Sequence, residues 1–223
     1  MAAAIRQYYL RNMTELYITK YCRIRNSMIS VDGREVYRME VNPDFSDFMR
    51  QSAKHFEMKY PKFAKMDNLG KLGFLSAEIL FRDNEFLSRY KGNRIGIIFQ
   101  NGSSSLSTDF KHQATIEDKE NYFPSPAVFV YTLPNIVIGE ICIRHHINGE
   151  NNLFVFETFQ PDFLYNYIRE LFENNRIDGC LAGWLDYGID NTYKSFLFLI
   201  EKYAGKSVIL KFENLKKLYY SEQ

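Results

Sequence analysis

The chain has 223 residues and a near-neutral balance, 28 Lys plus Arg against 27 Asp plus Glu. Nothing in that balance steers it toward nucleic acid or an anionic membrane, and the length suffices to bury a real core. Nineteen Phe and 16 Tyr beside the single Trp184 admit two readings, a well-filled core or an apolar ligand tunnel or partner surface.

The opening stretch MAAAIRQYYLRN has no apolar run suited to a signal peptide, and no segment approaches a membrane span. Residues 15 to 41 carry two β-rich runs, LYITKYCRI and REVYRMEV, with a hairpin or meander expected at Asp32-Gly33. Phe45, Phe48 and Met49 suggest a short helix that Pro61 ends. In KMDNLGKLGFLSAEILFRD, Leu69, Leu72, Leu75, Ile79 and Leu80 recur at helical spacing, with Asp67 or Asn68 as the cap. RIGIIFQ (94–100) is a continuous apolar run, the mark of a central strand buried on both faces. NGSSSLSTDF then makes a small-residue turn into a helix carrying Phe110, Ala114 and Ile116. A phosphate could sit at such a turn, but GxGxxG and GxxxxGK[ST] are both missing, so a capped structural turn is expected and no cofactor is implied.

In YFPSPAVFVYTLPNIVIGEICIRHHINGENN, Pro124 and Pro126 hold the approach extended. A helix is expected from Pro134 to about His146. Apolar residues surround it, which predicts burial on all sides, and Gly139 at its middle predicts a close backbone neighbour. FVFETFQPDF (154–163) reads as a strand running into a helix, with Gln160 at the joint and Pro161 in the first turn. Leu164, Tyr167, Ile168, Leu171 and Phe172 give that helix one apolar face, ending near Asn174-Asn175. GCLAGWLDYG is another buried strand; SFLFLIEKY and SVILKFENL read as two more, joined by a hairpin turn at Ala204-Gly205-Lys206. One domain spanning 1–223 is the reading, with no linker.

Cys22, Cys142 and Cys180 lie far apart without CxxC spacing, so they read as buried free thiols of a reducing, cytoplasmic compartment. His145 and His146, adjacent on a helix, point about 100° apart and cannot share one ion, so they read as helix-end residues and no metal is implied. His55 and His112 sit among polar residues and read as solvated. At the strand–helix joint, where many α/β enzymes place a nucleophile, Gln160 has no proton to lose. Its amide can donate a hydrogen bond to a substrate oxygen or satisfy a backbone group.

The order of YPKFAKMDNLGKLGFLSAEIL, RIGIIFQNGSSSLSTD, FPSPAVFVYTLPNIVIGEICIRHHINGENN, FVFETFQ and DGCLAGWLDYG resembles the N-terminal half of a β-ketoacyl synthase of the thiolase fold, over roughly residues 16 to 200. The resemblance implies an α/β fold, a thiolase-like half with a mixed five-stranded sheet, a buried central helix on one face and helices on the other. In that family the elbow reads Thr-Ala-Cys; here it reads Thr158-Phe159-Gln160, which puts Gln160 on the nucleophile position. The family's two catalytic histidines belong to a C-terminal half, to which His145 and His146 do not correspond. Glutamine at the elbow is found in chain-length factors and in loading ketosynthases that decarboxylate malonyl groups.

The first reading is therefore a non-condensing, chain-length-factor-like partner in fatty-acid, polyketide or polyene assembly. It would associate with a full-length ketosynthase and acyl carrier protein as a homo- or heterodimer, with Tyr131, Phe154, Phe156 and Phe159 lining an acyl tunnel or interface. A second reading is a small decarboxylase or acyl-binding enzyme using Gln160 and either His145 or His146, which requires a histidine within hydrogen-bond reach of Gln160 or one water away. A third is a vestigial binding module with a solid interior.

Overall fold

The computed structural model describes residues 15–40, 43–120, 122–202 and 207–221. The N-terminal MAAAIRQYYLRN and the Ala204-Gly205-Lys206 turn lie outside them. The chain opens on a meander: β1 (Tyr17–Arg25), β2 (Met28–Val31) and β3 (Arg34–Arg38). Two-residue loops make both turns, Asn26-Ser27 and Asp32-Gly33, and all four residues have positive φ, which suits the right-handed twist of the strands. The Asp-Gly turn is where the sequence puts it. The short β2 is an additional strand, because Asn26-Ser27 is a turn that propensity marks weakly.

Helix α1 (Phe45–His55) follows, with Asp44 accepting from the Asp47 N–H, and then α2 (Asn68–Phe81), which Asp67 caps by accepting from the Gly70 N–H. After the one-turn α3 (Phe86–Arg89) comes β4 (Ile95–Asn101), buried along its whole length. Helices α4 (Leu106–Ala114), α5 (Pro126–Val130) and α6 (Ile136–His145) lead to β5 (Asn151–Val155). The chain ends with α7 (Pro161–Glu173), β6 (Gly179–Tyr187), β7 (Tyr193–Glu201), β8 (Val208–Ile209) and α8 (Phe212–Tyr220).

The strands form one mixed sheet in the order β3-β2-β1-β7-β6-β4-β5, with β8 paired to β1. β4 runs parallel to both β5 and β6; the remaining pairs are antiparallel. The described sheet thus has eight strands where five were expected. β1-β7-β6-β4-β5 is a continuous run of five; β2 and β3 extend it past β1, and the stub β8 also pairs with β1. One face of the sheet is covered by α1, α2 and α6, the other by α7 and α8. That gives three layers, α/β/α, with the sheet buried in the middle.

Two helical expectations change. The centrally buried helix is α2, nearly all of whose side chains are buried, whereas α6 buries only Val137, Ile138, Glu140 and Ile141 and exposes Ile143. The close approach falls at Gly73 of α2: a Cβ there would lie 2.5 Å from Leu185 Cδ2 and 2.6 Å from Val137 Cγ2. At Gly139 nothing lies within 4 Å of such an atom. An all-round apolar composition cannot distinguish a helix sealed between sheet and helix from one laid over it. SVILKFENL is the second change. Only Val208 and Ile209 are extended, and they pair with β1, not β7; Leu215 and Tyr219, four apart, then turn one buried face of α8 to the sheet. Among the described residues, no helix is long and apolar enough to cross a membrane.

Candidate functional site

The strand–helix joint is held from beneath by a buried amide, that of Gln100. Gln100, at the end of β4, is fully buried in a sheet otherwise apolar at that level. Its Oε1 accepts from the Gln160 backbone N–H at 2.9 Å and its Nε2 donates to the Gln160 carbonyl at 3.0 Å. This two-point clamp satisfies both backbone groups of Gln160, the residue preceding α7, where strand pairing has ceased and the helix has not begun. Asn101, one residue on and also buried, donates to the Leu185 carbonyl at 2.7 Å and accepts from the Ser104 N–H.

The Gln160 side chain is exposed. Its Nε2 folds back onto Thr158, 3.2 Å from the carbonyl and 3.1 Å from Oγ1. Phe159 points the other way, into the core beneath α7 and α8, with its ring 4.6 Å from Tyr219, 6.0 Å from Phe196 and 6.2 Å from Trp184. The small-residue turn after β4 serves the same corner: Asp186 Oδ1 accepts from the Ser103 N–H at 2.7 Å and the Gly102 N–H at 3.2 Å. Those donors are bound within the chain, so the turn is a structural one. Gln100, Asn101 and Asp186 carry this architecture, and the sequence reading did not single them out. Their signal was the polar pair Gln100-Asn101 closing a continuous apolar run.

The four aromatic residues tied to a tunnel or interface fall in three places. Phe154 and Phe156 come together, 6.3 Å apart, in a half-exposed cluster with Phe163 and Tyr167 beside edge strand β5. Phe159 belongs to the core under α7 and α8. Tyr131 lies on the opposite face of the sheet, its hydroxyl donating to the buried Glu140 Oε1 at 3.2 Å, with the solvent-exposed Lys62 ammonium 2.7 Å from the same oxygen.

The histidines do not reach the elbow. His146 closes α6 in a left-handed conformation, and the segment after it bonds to the turn preceding β4, with the Asn148 N–H donating to the Gly92 carbonyl at 3.0 Å. Gln160 is fixed to Gln100 at the far end of that strand; from Ile95 to Gln100, five strand steps of about 3.3 Å amount to about 16 Å. His145 Nε2 lies 2.8 Å from Glu78 Oε1 and its ring packs 4.7 Å from Phe81. Burial pushes the Glu78 carboxyl upward, but His145 and Arg144 outweigh it and hold that carboxyl below its ordinary range. His145 and His146, the two histidines a Gln160-dependent decarboxylase was expected to use, thus lie toward the opposite end of β4 from Gln160. His55, exposed, packs on Tyr37, whereas His112 is half-buried against Phe129.

None of the thiols is an activated nucleophile. Cys22 and Cys180 are buried, Cys142 half-buried. Burial pushes the Cys22 thiol up to about 12, and raises Cys180 and Cys142 as well. Ellman's reagent is expected to react with neither Cys22 nor Cys180 in the folded protein and with all three thiols in denaturant; fast native-state labelling of Cys22 or Cys180 would contradict this burial.

No family model matches the sequence, and no curated protein matches it. Solved structures do. "The ishigamide ketosynthase/chain length factor" superposes with a TM-score of 0.60 at 15% identity, over 84% of this chain and 62% of that one. A type II polyketide synthase assembly of acyl-carrier protein with its ketosynthase, AntDE:AntF, gives 0.57 at 12% identity over the same shares, 84% and 62%. The ketosynthase ApeO in complex with its chain length factor ApeC, from Xenorhabdus doucetiae, gives 0.52 at 12%, over 86% of this chain and 80% of that one. The fold is thus the thiolase-like one of ketosynthase and chain-length-factor proteins. The chain spans less than two thirds of the length of the first two and is close in size to the third.

Proposed function

We propose that this chain is a chain-length-factor-like subunit: a non-acylating companion that pairs with a ketosynthase and helps to shape acyl chains delivered on acyl carrier protein. The observation that carries the reading is an elbow kept in place by the Gln100 clamp yet furnished with Gln160, whose amide is tied to Thr158. An amide cannot form an acyl-enzyme. The neighbours in structure support it, since their descriptions name ketosynthases, chain length factors and an acyl carrier complex.

The surface supports a partner as well. β5 is an edge strand, and Val155, Phe154 and Phe156 lie along or just beyond it. Phe110 of α4, Phe123, Phe129 of α5 and Leu133 are exposed as well; α4 and α5 are tied together by the Ser105 hydroxyl donating to the Thr132 carbonyl at 2.6 Å. Apolar exposure on this scale fits a protein interface. In this proposal Phe154 and Phe156 face the partner, Phe159 anchors the elbow, and Tyr131 packs in the core on the sheet's other face. The product class, polyketide, polyene or fatty acid, follows the partner.

Co-expression with candidate ketosynthases and acyl carrier protein tests this. A ketosynthase co-eluting with the chain, with acyl species retained on the complex by mass spectrometry, is the expected result. Recovery of the chain with no ketosynthase and no acyl species would overturn it.

A further inference from the structure

On the sheet face that carries α7 and α8, β1 and β7 bring three cations together. Arg23 pairs in register with Phe196 and Ile24 with Ser195, so Arg25 and Lys194 occupy the next rung on the same face as Arg23. Like charges opposed across a ladder repel. The two guanidiniums also converge on one atom: Arg23 Nη1 and Arg25 Nη2 donate to the Ser221 carbonyl at 2.9 and 2.8 Å. Arg23 Nη1 further donates to the Leu218 carbonyl at 3.1 Å and to Ser221 Oγ at 2.6 Å. The Lys194 ammonium sits 3.7 Å from the centre of the Tyr219 ring.

Every one of those acceptors is neutral. Among the described residues none of the three cations has a carboxylate in an ion pair. The nearest in register, Asp186 opposite Lys194, is hydrogen-bonded to Gly102 and Ser103. A second observation lies beside them. Arg23 Nε and the hydroxyl of Ser30, its register partner on β2, are both buried and have no hydrogen-bond partner, in residues 3% and 0% exposed. Two buried polar groups without a hydrogen-bond partner thus stand beside three cations that have no ion pair among the described residues, which favours an anion there.

We propose that Arg23, Arg25 and Lys194 form a binding site for a phosphate-class oxyanion. Three positive charges match a dianion, and guanidinium forks match tetrahedral oxygens. Burial lowers the Lys194 pKa, and Arg25 and Arg23 lower it further, so a bound dianion would raise it again. The site does not depend on the chain-length-factor reading and stands or falls separately from it.

Calorimetric titration of the full chain at low ionic strength with inorganic phosphate, and with glycerol phosphate as an ester, tests the assignment. Saturable phosphate binding is expected, weakened about tenfold in Arg25→Gln and in Lys194→Gln, the loss of one charge-assisted contact, and unchanged in the surface control Lys216→Gln. An ester that binds as well as phosphate marks an open site for a phosphorylated molecule; an ester that fails marks the free ion. Should the variants misfold, nitrogen NMR of Lys194 in the wild-type chain decides, since phosphate must move its titration midpoint upward. No saturable heat together with an unmoved Lys194 midpoint, or binding that survives in both variants, would overturn the site.

Discussion

Gly183→Ala is expected to leave little folded protein. Gly183 lies in β6, between β4 and β7, at φ +147, a backbone region that side chains other than glycine rarely adopt. An added Cβ would stand 1.9 Å from the Phe196 carbonyl oxygen and 2.9 Å from Leu197 Cα, both backbone atoms of the paired strand. Neither can rotate away, so the ladder itself must part. Backbone strain of about 1–3 kcal/mol adds to broken strand pairing, and a total above about 4 kcal/mol is expected, a large share of the roughly 5–15 kcal/mol that stabilises a domain. Urea denaturation followed by circular dichroism measures it. Gly139→Ala is the contrast: with open space around the position in a helix, it should stabilise by about 0.5–1 kcal/mol. A Gly183→Ala protein with an unchanged denaturation midpoint would refute the close pairing of β6 with β7.

Phe159→Ala is the second large effect, and it bears on the elbow directly. The ring is 3% exposed and packs on Tyr219, Phe196 and Trp184, joining the joint to α8 and to two strands. Its removal should cost about 3–5 kcal/mol. It should also loosen residues 156–160, so that limited proteolysis cuts there before the protein unfolds globally. Gln160→Ala, one residue on, removes only an exposed amide bonded to Thr158 and should stay within about 0.5 kcal/mol of the parent. If the two substitutions were equal in effect, the elbow would not be anchored through Phe159.

Much of this arrangement was legible in residues. The run Ile95 to Gln100 announced a central strand because both its faces are buried, which leaves no room for alternation. Asp67 and Pro161 marked helix starts through local chemistry, a side-chain acceptor in one case and a fixed φ in the other, and such chemistry does not depend on distant contacts. What could not be read depends on those contacts. Gly73 and Gly139 are alike in sequence, and only the placement of α2 between the sheet and α6 decides which one is crowded. VILKFENL alternates well enough for a strand; the burial of Leu215 and Tyr219 against the sheet made it a helix. The elbow was visible as a strand running into a proline-started helix. Its clamp was not, since nothing local links Gln100 to Gln160 across a sequence separation of 60.

The central proposal is an elbow held in position by Gln100 and left unreactive by Gln160, and intact-mass spectrometry tests it most directly. The chain is combined with a candidate ketosynthase and acyl-loaded carrier protein, and both proteins are weighed. The account predicts an acyl adduct on the ketosynthase and an unmodified mass for this chain, with Gln160 tied to Thr158 and its three thiols raised in pKa by burial. An acyl adduct on this chain would contradict it.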